Sequence, residues 1–381
     1  MDRASTYQIR HHEVIGKGAS GTVYRALNRA LGGPKFVAIK TAKESVWIRN
    51  AAGVMCQIPD HPNICQFLGT WVNLAQTRFI AMELIESRKN LKQWLSERDP
   101  KVPINPLQIC SILVQIFQAI AHVHDNLISH GDIKLSNIMI IEREDGTIVI
   151  KLIDFDFATH FDDVPQMQRG TPFYCSPEIS RGYNIDHRSD IWSLGILILS
   201  ILTRIEKPFF LQDAKSGVEI LKILGNIHRV GLQFPRELLE NEDPNVAFFA
   251  RIARSCLALE KSERPRAQDV VIELTEKLAE LERSELERSE LEPVDHERAD
   301  QEPANQECAN QERANQECVD QESADQECAN QEGANQEPAN QERADQEPAN
   351  QERSEQDPAN QEPANQESAN QECANQEPAN Q

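Results

Sequence analysis

The sequence predicts an α+β protein of two lobes, a small β-rich one followed by a larger helical one, with a long acidic tail. Three observations carry this reading. The first third alternates apolar and polar residues over short runs bounded by turn residues, as half-buried strands do. Most of the chain beyond that third, up to about residue 280, repeats its apolar residues at helical spacing. From Leu281 the chain steps in units of five, a period that gives a helix no apolar face. A sheet lobe joined to a helical lobe implies a cleft between them.

The strands are expected at residues 9–16, 22–27, 36–42, 65–71 and 78–84, interrupted by one helix at 45–58 that ends before Pro59-Asp60-His61-Pro62-Asn63. Helices follow at 91–97, 106–126, 190–202, 218–225, 246–257 and 267–281. A body of about 280 residues is long for a single core and suits two lobes, here 7–85 and 86–280. The formal charge of −22 resides wholly in residues 281–381, and residues 1–280 balance their charges. After four introductory pentads this tail runs through sixteen of the type Gln-Glu-x-Ala-Asn, with no Leu, Ile or Phe after Leu291. Such a segment cannot bury enough surface to offset the entropy of ordering, so a disordered tail is expected, with a tail partner left open.

Several classes are expected not to apply. No apolar run follows Met1-Asp2-Arg3, so no signal peptide is read, and the apolar stretch 191–202 is too short to span a bilayer. The nine cysteines show neither paired nor metal-ligand spacing, which suits a reduced cytoplasmic or nuclear compartment. A neutral body offers no basic stripe for nucleic acid.

Gly16-Lys17-Gly18-Ala19-Ser20-Gly21 lies between two strand-like runs. Glycines at this spacing let a backbone approach phosphates with its N–H groups inward. The following Thr22-Val23-Tyr24 is β-like, which disfavours a dinucleotide fold, where a helix should follow. In Val37-Ala38-Ile39-Lys40 the alternation buries Val37 and Ile39 and turns Ala38 and Lys40 the other way. In His130-Gly131-Asp132-Ile133-Lys134-Leu135-Ser136-Asn137, an acid, a lysine and an amide share one loop. Asp154, in Asp154-Phe155-Asp156, ends an apolar run, and its carboxylate with the Asn137 amide oxygen suits Mg²⁺ completed by substrate phosphates.

Together these residues resemble the eukaryotic protein kinase family from Tyr7 to about Leu281, and Lys134 with Gly170-Thr171-Pro172-Phe173-Tyr174 resembles its Ser/Thr class. Ser176-Pro177-Glu178, Asp190-Ile191-Trp192-Ser193-Leu194-Gly195 and Arg264 complete the ordered matches. The resemblance implies a bilobal fold and transfer of the γ-phosphoryl group of ATP to Ser/Thr hydroxyls of protein substrates. It implies that Gly16, Gly18 and Gly21, with Lys17 and Ala19 between them, lie over the ATP phosphates, and that Lys40 holds the α/β-phosphates. Asp132 would accept the hydroxyl proton, Lys134 would neutralise the γ-phosphate, and Asn137 and Asp154 would hold Mg²⁺. Val23 and Ala38 would touch adenine, with Met82 behind it and Glu83-Leu84-Ile85 as the hinge. Glu178 and Arg264 would form a structural ion pair, and Asp190 would open a buried helix.

Three positions depart from the family. The helix-borne Glu that pairs with the strand lysine is expected at Ala52 or Ala51, and the nearest acid, Glu44, is poorly placed. Gly131 replaces an Arg that would meet a phosphate on the activation segment, where Thr159 is the sole hydroxyl residue between Phe157 and Gly170. Activity independent of loop phosphorylation is therefore expected. Asp156 replaces a Gly, and three readings stand: like-charge repulsion with Asp154, an additional metal ligand, or an outward side chain of little consequence. A scaffold that holds nucleotide with little or no catalysis is the alternative function.

Overall fold

The computed structural model describes residues 6–291, apart from 19, 31, 44, 45, 88, 162–169 and 184. The disorder expected of residues 292–381 therefore lies outside the described residues.

The N-terminal lobe is an antiparallel sheet of β1 (Tyr7–Gly18), β2 (Gly21–Asn28), β3 (Phe36–Lys43), β4 (Phe67–Val72) and β5 (Thr77–Glu83), in the order β1-β2-β3-β5-β4. The helix α1 (Val46–Met55) connects β3 to β4. Val37, Ile39, Ala26 and Ala81 close one face completely, and Tyr7, Trp71 and Phe79 stack over it with ring centroids 5.4 and 5.1 Å apart. Central position buries the other face of β3 as well, so Ala38 and Lys40 are 6% and 8% exposed against the cleft.

The C-terminal lobe begins with α2 (Leu91–Ser96) and α3 (Pro106–Asp125), each capped by an Asn side chain. Short strands β6 (Ile128–Ser129), β7 (Ile138–Glu142), β8 (Ile148–Leu152) and β9 (Thr159–His160) follow, paired as β6-β9 and β7-β8. Then come α4 (Pro177–Ser180), α5 (His187–Thr203), α6 (Gly217–Val230), α7 (Arg236–Leu239), α8 (Pro244–Cys256) and α9 (Ala267–Leu291). By length and composition α3 would cross a membrane, but eleven of its side chains are buried in the core.

Three boundaries differ from expectation for physical reasons. Helix α5 starts three residues early because the Asp186 carboxylate accepts from Arg188 N and Ser189 N, a cap with its reciprocal Ser189 bond. Helix α6 runs past Gly225 to Val230, because Ile220, Leu224 and Ile227 share one buried stripe that outweighs the glycine's propensity. Helix α9 passes the expected boundary at 280 and ends at Leu291, through two Leu-Glu-Arg-Ser-Glu units. These are good helix formers, Leu281 is 9% exposed, and Glu285 Oε1 accepts from Asn105 Nδ2 at 2.8 Å. The first pentads thus belong to the body.

Glu178 and Arg264 join α4 to the turn before α9 as a fork, with Nη1–Oε1 at 2.6 Å and Nη2–Oε2 at 2.8 Å. Both residues are buried, and removing one partner strands the other charge at a cost of about 3–5 kcal/mol. Burial pushes the Glu178 carboxyl up, but the Arg264 guanidinium outweighs it and holds the group below the usual carboxylate range. Its contribution is thus complete above the unfolded pKa of about 4.3 and is lost as pH falls through the depressed folded value. Urea denaturation should show Glu178→Gln less stable than wild type by about 3–5 kcal/mol at pH 7. The difference should narrow as the pH is taken below about 4.

Candidate active site in the interlobe cleft

A cleft of about 480 Å³ lies under the β1–β2 turn and the hinge, lined among others by Val23, Ala38, Lys40, Met82, Ile85 and Asp154. Gly16, Lys17, Gly18 and Gly21 also border it, and Ala19 lies outside the described residues. Gly21 has φ +141°, and a Cβ there would stand 2.4 Å from Thr41 O, so β3 demands this glycine independently of any ligand. Gly18 has open space where a Cβ would be. Cys65 and Ile80, which no sequence motif marks, line the cleft too. The Glu83 carboxylate is bound by Lys151 Nζ at 2.8 Å and by Gln66 N at 3.2 Å, which ties the hinge to β8.

Lys40 is where the structure adds most. Its ammonium donates to Asp154 Oδ1 at 2.9 Å and to Asp156 Oδ2 at 2.5 Å. No acid stands on α1, whose Ala51 and Ala52 are buried, and Glu44 lies outside the described residues. Lys40 therefore takes its partners from the turn after β8 rather than from α1, and the reading of Asp156 as an outward side chain is corrected, since Asp156 is 4% exposed. Nor is Asp156 strained in place of glycine: the left-handed φ of this turn, +67°, falls on Asp154.

The titration of the three groups reflects their neighbours. Burial lowers the Lys40 ammonium, but the charges of Asp154 and Asp156 outweigh it and hold the group above its ordinary value. Burial raises the Asp154 carboxyl, and Lys40 more than reverses this. Burial and the Asp154 charge together lift Asp156 above its ordinary value despite Lys40. Like-charge repulsion, one of the three readings of Asp156, therefore operates within the cluster.

Asp190, at the start of α5, builds the loop opposite. One of its oxygens accepts from His130 N at 2.8 Å and contacts His124 Nε2 at 2.9 Å; the other accepts from Gly131 N at 2.9 Å. The buried Asp132 carboxylate accepts from Lys134 Nζ at 2.6 Å, Asn137 Nδ2 at 3.2 Å, Thr171 N at 3.0 Å and Thr171 Oγ1 at 2.8 Å. The sequence marks Thr171 only as part of a class signature; its reach to Asp132 depends on a chain reversal that spacing does not reveal. Asn137 Nδ2 also donates to Asp132 O at 2.9 Å, and Asn137 O accepts from Ile153 N at 2.9 Å, one residue before Asp154.

These contacts leave the Asn137 amide oxygen without a hydrogen bond among the described residues and bring its residue beside Asp154. Hard oxygens of this kind fit Mg²⁺, which keeps few protein ligands and takes phosphate oxygens for the rest. Among the described residues no group of three or more His, Cys, Asp or Glu side chains is placed to hold a metal ion by itself.

Gly131 has φ +75°, and a Cβ would meet Phe157 O at 2.6 Å; one on Gly170 would meet Gly131 O at 2.9 Å. The backbones of the Asp132 loop and the segment after Phe155 pass too closely for a side chain at 131. Thr159 is 2% exposed, held in the β6–β9 pair.

Residues 9–273 match the family described as the protein kinase domain. Among curated proteins, the chain is 29% identical over 226 residues to serine/threonine-protein kinase PLK4 of Aedes aegypti, covering 56% of this chain and 28% of that one. It is 30% identical over 219 residues to serine/threonine-protein kinase pkn3 of Myxococcus xanthus, covering 53% and 39% respectively. It is 30% identical over 276 residues to mitogen-activated protein kinase kinase kinase 19 of Mus musculus, covering 67% and 19%. The chain thus spans well under half the length of these three relatives.

With Thr159 buried and Gly131 in place of a phosphate-binding side chain, intact-mass measurement of the chain incubated with ATP–Mg²⁺ should find no phosphate on Thr159. Gly131→Ala should instead lower stability by at least about 1–2 kcal/mol, from left-handed strain alone, in a urea titration.

Proposed function

The chain belongs to the protein kinase family, and on that premise we propose that it transfers the γ-phosphoryl group of ATP to Ser or Thr hydroxyls of protein substrates. The observation that carries this reading is the Asp132 carboxylate, held by Lys134, Asn137 and Thr171, together with Lys40 paired to Asp154 in the cleft. In this reading adenine lies between Val23, Ala38 and the hinge from Glu83 to Ile85, with Met82 behind it. Lys40 holds the α/β-phosphates, under the turn that carries Gly16, Lys17, Gly18 and Gly21.

All four acceptor positions of Asp132 are occupied by protein donors, so an incoming hydroxyl must displace one. Lys134 is the mobile donor, and it would move from Asp132 to the γ-phosphate as substrate enters. The hydroxyl oxygen then bonds to the γ-phosphorus, the bridging oxygen leaves with ADP, and Asp132 takes the hydroxyl proton. Asn137 and Asp154 would hold Mg²⁺, which supplies charge neutralisation at the phosphates. Thr171 keeps Asp132 oriented through both its N–H and its hydroxyl.

The scaffold alternative rests on the missing helix acid and on Asp156 in place of Gly; two carboxylates nevertheless stand at the Lys40 ammonium. We also propose a reduced cytoplasmic or nuclear setting, since Cys65, Cys110, Cys175 and Cys256 are free thiols, each pushed up to about 12 chiefly by burial.

Full-length wild type and Asp132→Asn, incubated with ATP–Mg²⁺ and myelin basic protein, should differ by about 10²–10⁴-fold in phosphate transfer. Equal background transfer in both chains would favour the scaffold.

A further inference from the structure

A lysine ammonium nine-tenths buried needs a counter-charge, and a catalytic one needs that charge to fix its direction as well. Nothing on α1 provides it: the helix reads Val-Trp-Ile-Arg-Asn-Ala-Ala-Gly-Val-Met. Met55 lines the cleft, and Ala51, one turn earlier, shares its face. Ala51 is 1% exposed and carries no polar atom on its side chain. Asp156 stands two residues after Asp154, 4% exposed, with Oδ2 at 2.5 Å from Lys40 Nζ. Ser20, from the β1–β2 turn, lines the same cleft.

We propose that Asp156 is the positioning residue for Lys40, holding its ammonium toward the α/β-phosphates from the turn after β8 in place of an acid on α1. The orientation of Lys40 is then independent of where α1 sits. One three-residue turn supplies the metal-facing carboxylate of Asp154, the buried ring of Phe155 and the lysine's anchor. Ser20, in the β1–β2 turn, lines the same cleft as Asp156, and Lys40 bonds both Asp154 and Asp156, so the turn after β8 meets the ammonium from two positions. Asp156 touches neither phosphate nor acceptor in this arrangement; it acts through Lys40. The role of Asp156 rests on the proposed nucleotide site, and the experiment separates the two.

Full-length wild type, Asp156→Asn, Asp156→Gly and the double variant Asp156→Gly/Ala51→Glu would be compared for binding of ATP–Mg²⁺ and of adenosine by calorimetry. Transfer to myelin basic protein and urea midpoints would accompany the titrations. Adenosine has no phosphates for Lys40 to hold, so it reports the cleft without the lysine. Both single variants should bind ATP about 10–100-fold more weakly, the usual loss when the partner orienting a binding group is removed, with adenosine affinity unchanged. The double variant should recover ATP affinity, because it returns a carboxylate to the cleft face of α1. Unchanged ATP affinity in both single variants would overturn the proposal. So would tighter ATP binding, which would mark Asp156 as a clamp that withholds Lys40. Parallel losses for ATP and adenosine with lowered urea midpoints would also overturn it, since they indicate a merely structural acid. A wild type that binds ATP but transfers nothing would defeat the transfer reading, while the ATP–adenosine contrast would still decide the role of Asp156.

Discussion

The buried ammonium of Lys40 is the constraint around which the cleft is organised. A charge taken out of water has to be met by an opposite charge with good geometry, or the fold loses several kcal/mol. Here two carboxylates from one turn meet it, and the excess negative charge is shared unevenly between them. Asp154 is held ionised by Lys40, whereas burial and its neighbour lift Asp156. With both acids ionised, a cluster of one cation and two carboxylates carries net negative charge, and under the proposed function Mg²⁺ held by Asp154 and Asn137 would offset it.

A second buried acid, Asp190, performs the corresponding task for the opposite wall. It collects two backbone N–H groups and the His124 ring, which leaves the Asp132 loop little freedom. The same loop is pressed against the Phe157 carbonyl at Gly131 and against Gly170 from the other side. Backbone contact at these two glycines takes the place of a side chain reaching for a loop phosphate. The burial of Thr159 in the β6–β9 pair agrees with this, because a phosphate there would have to be drawn out of the core.

Much of this is legible from the residue order. Strand and helix positions follow from periodicity to within a few residues, and the ordered motifs single out Lys40 and Asp154, which line the cleft, and Asp132 and Asn137, which share one hydrogen-bonded loop. Side-chain direction in turns is not legible in the same way. Asp156 sits two residues from Asp154 in a turn without regular period, so neither alternation nor helical spacing says which way it points. Thr171 reaches Asp132 across 39 residues, a contact made by tertiary chain reversal. The end of α9 departs from expectation for the opposite reason. The pentads have no helical stripe, yet Leu281 and Glu285 find partners on α3 and its cap, and local propensity carries the helix to Leu291.

The location of the anchor changes what α1 can do. With an acid on the helix, displacement of α1 would break an ion pair at the phosphates. Here α1 meets the segment after Phe155 through Asn50 Nδ2 and Ala158 O, at 2.6 Å, and through Met55, which borders the same small void as Phe155. A neutral hydrogen bond of that kind contributes about 1 kcal/mol net, compared with about 3–5 kcal/mol for parting a buried ion pair. Displacing α1 would also expose Ile48, Ala51, Ala52, Val54 and Met55, which are buried in the core, so packing holds the helix rather than an ion pair at Lys40. The 154–156 turn is packed through Phe155 against His130, 4.8 Å away between ring centroids. Asp190 in turn holds the His130 backbone N–H, and the His130 ring touches both the Phe155 ring and Ile153 O, so the two loops share one histidine.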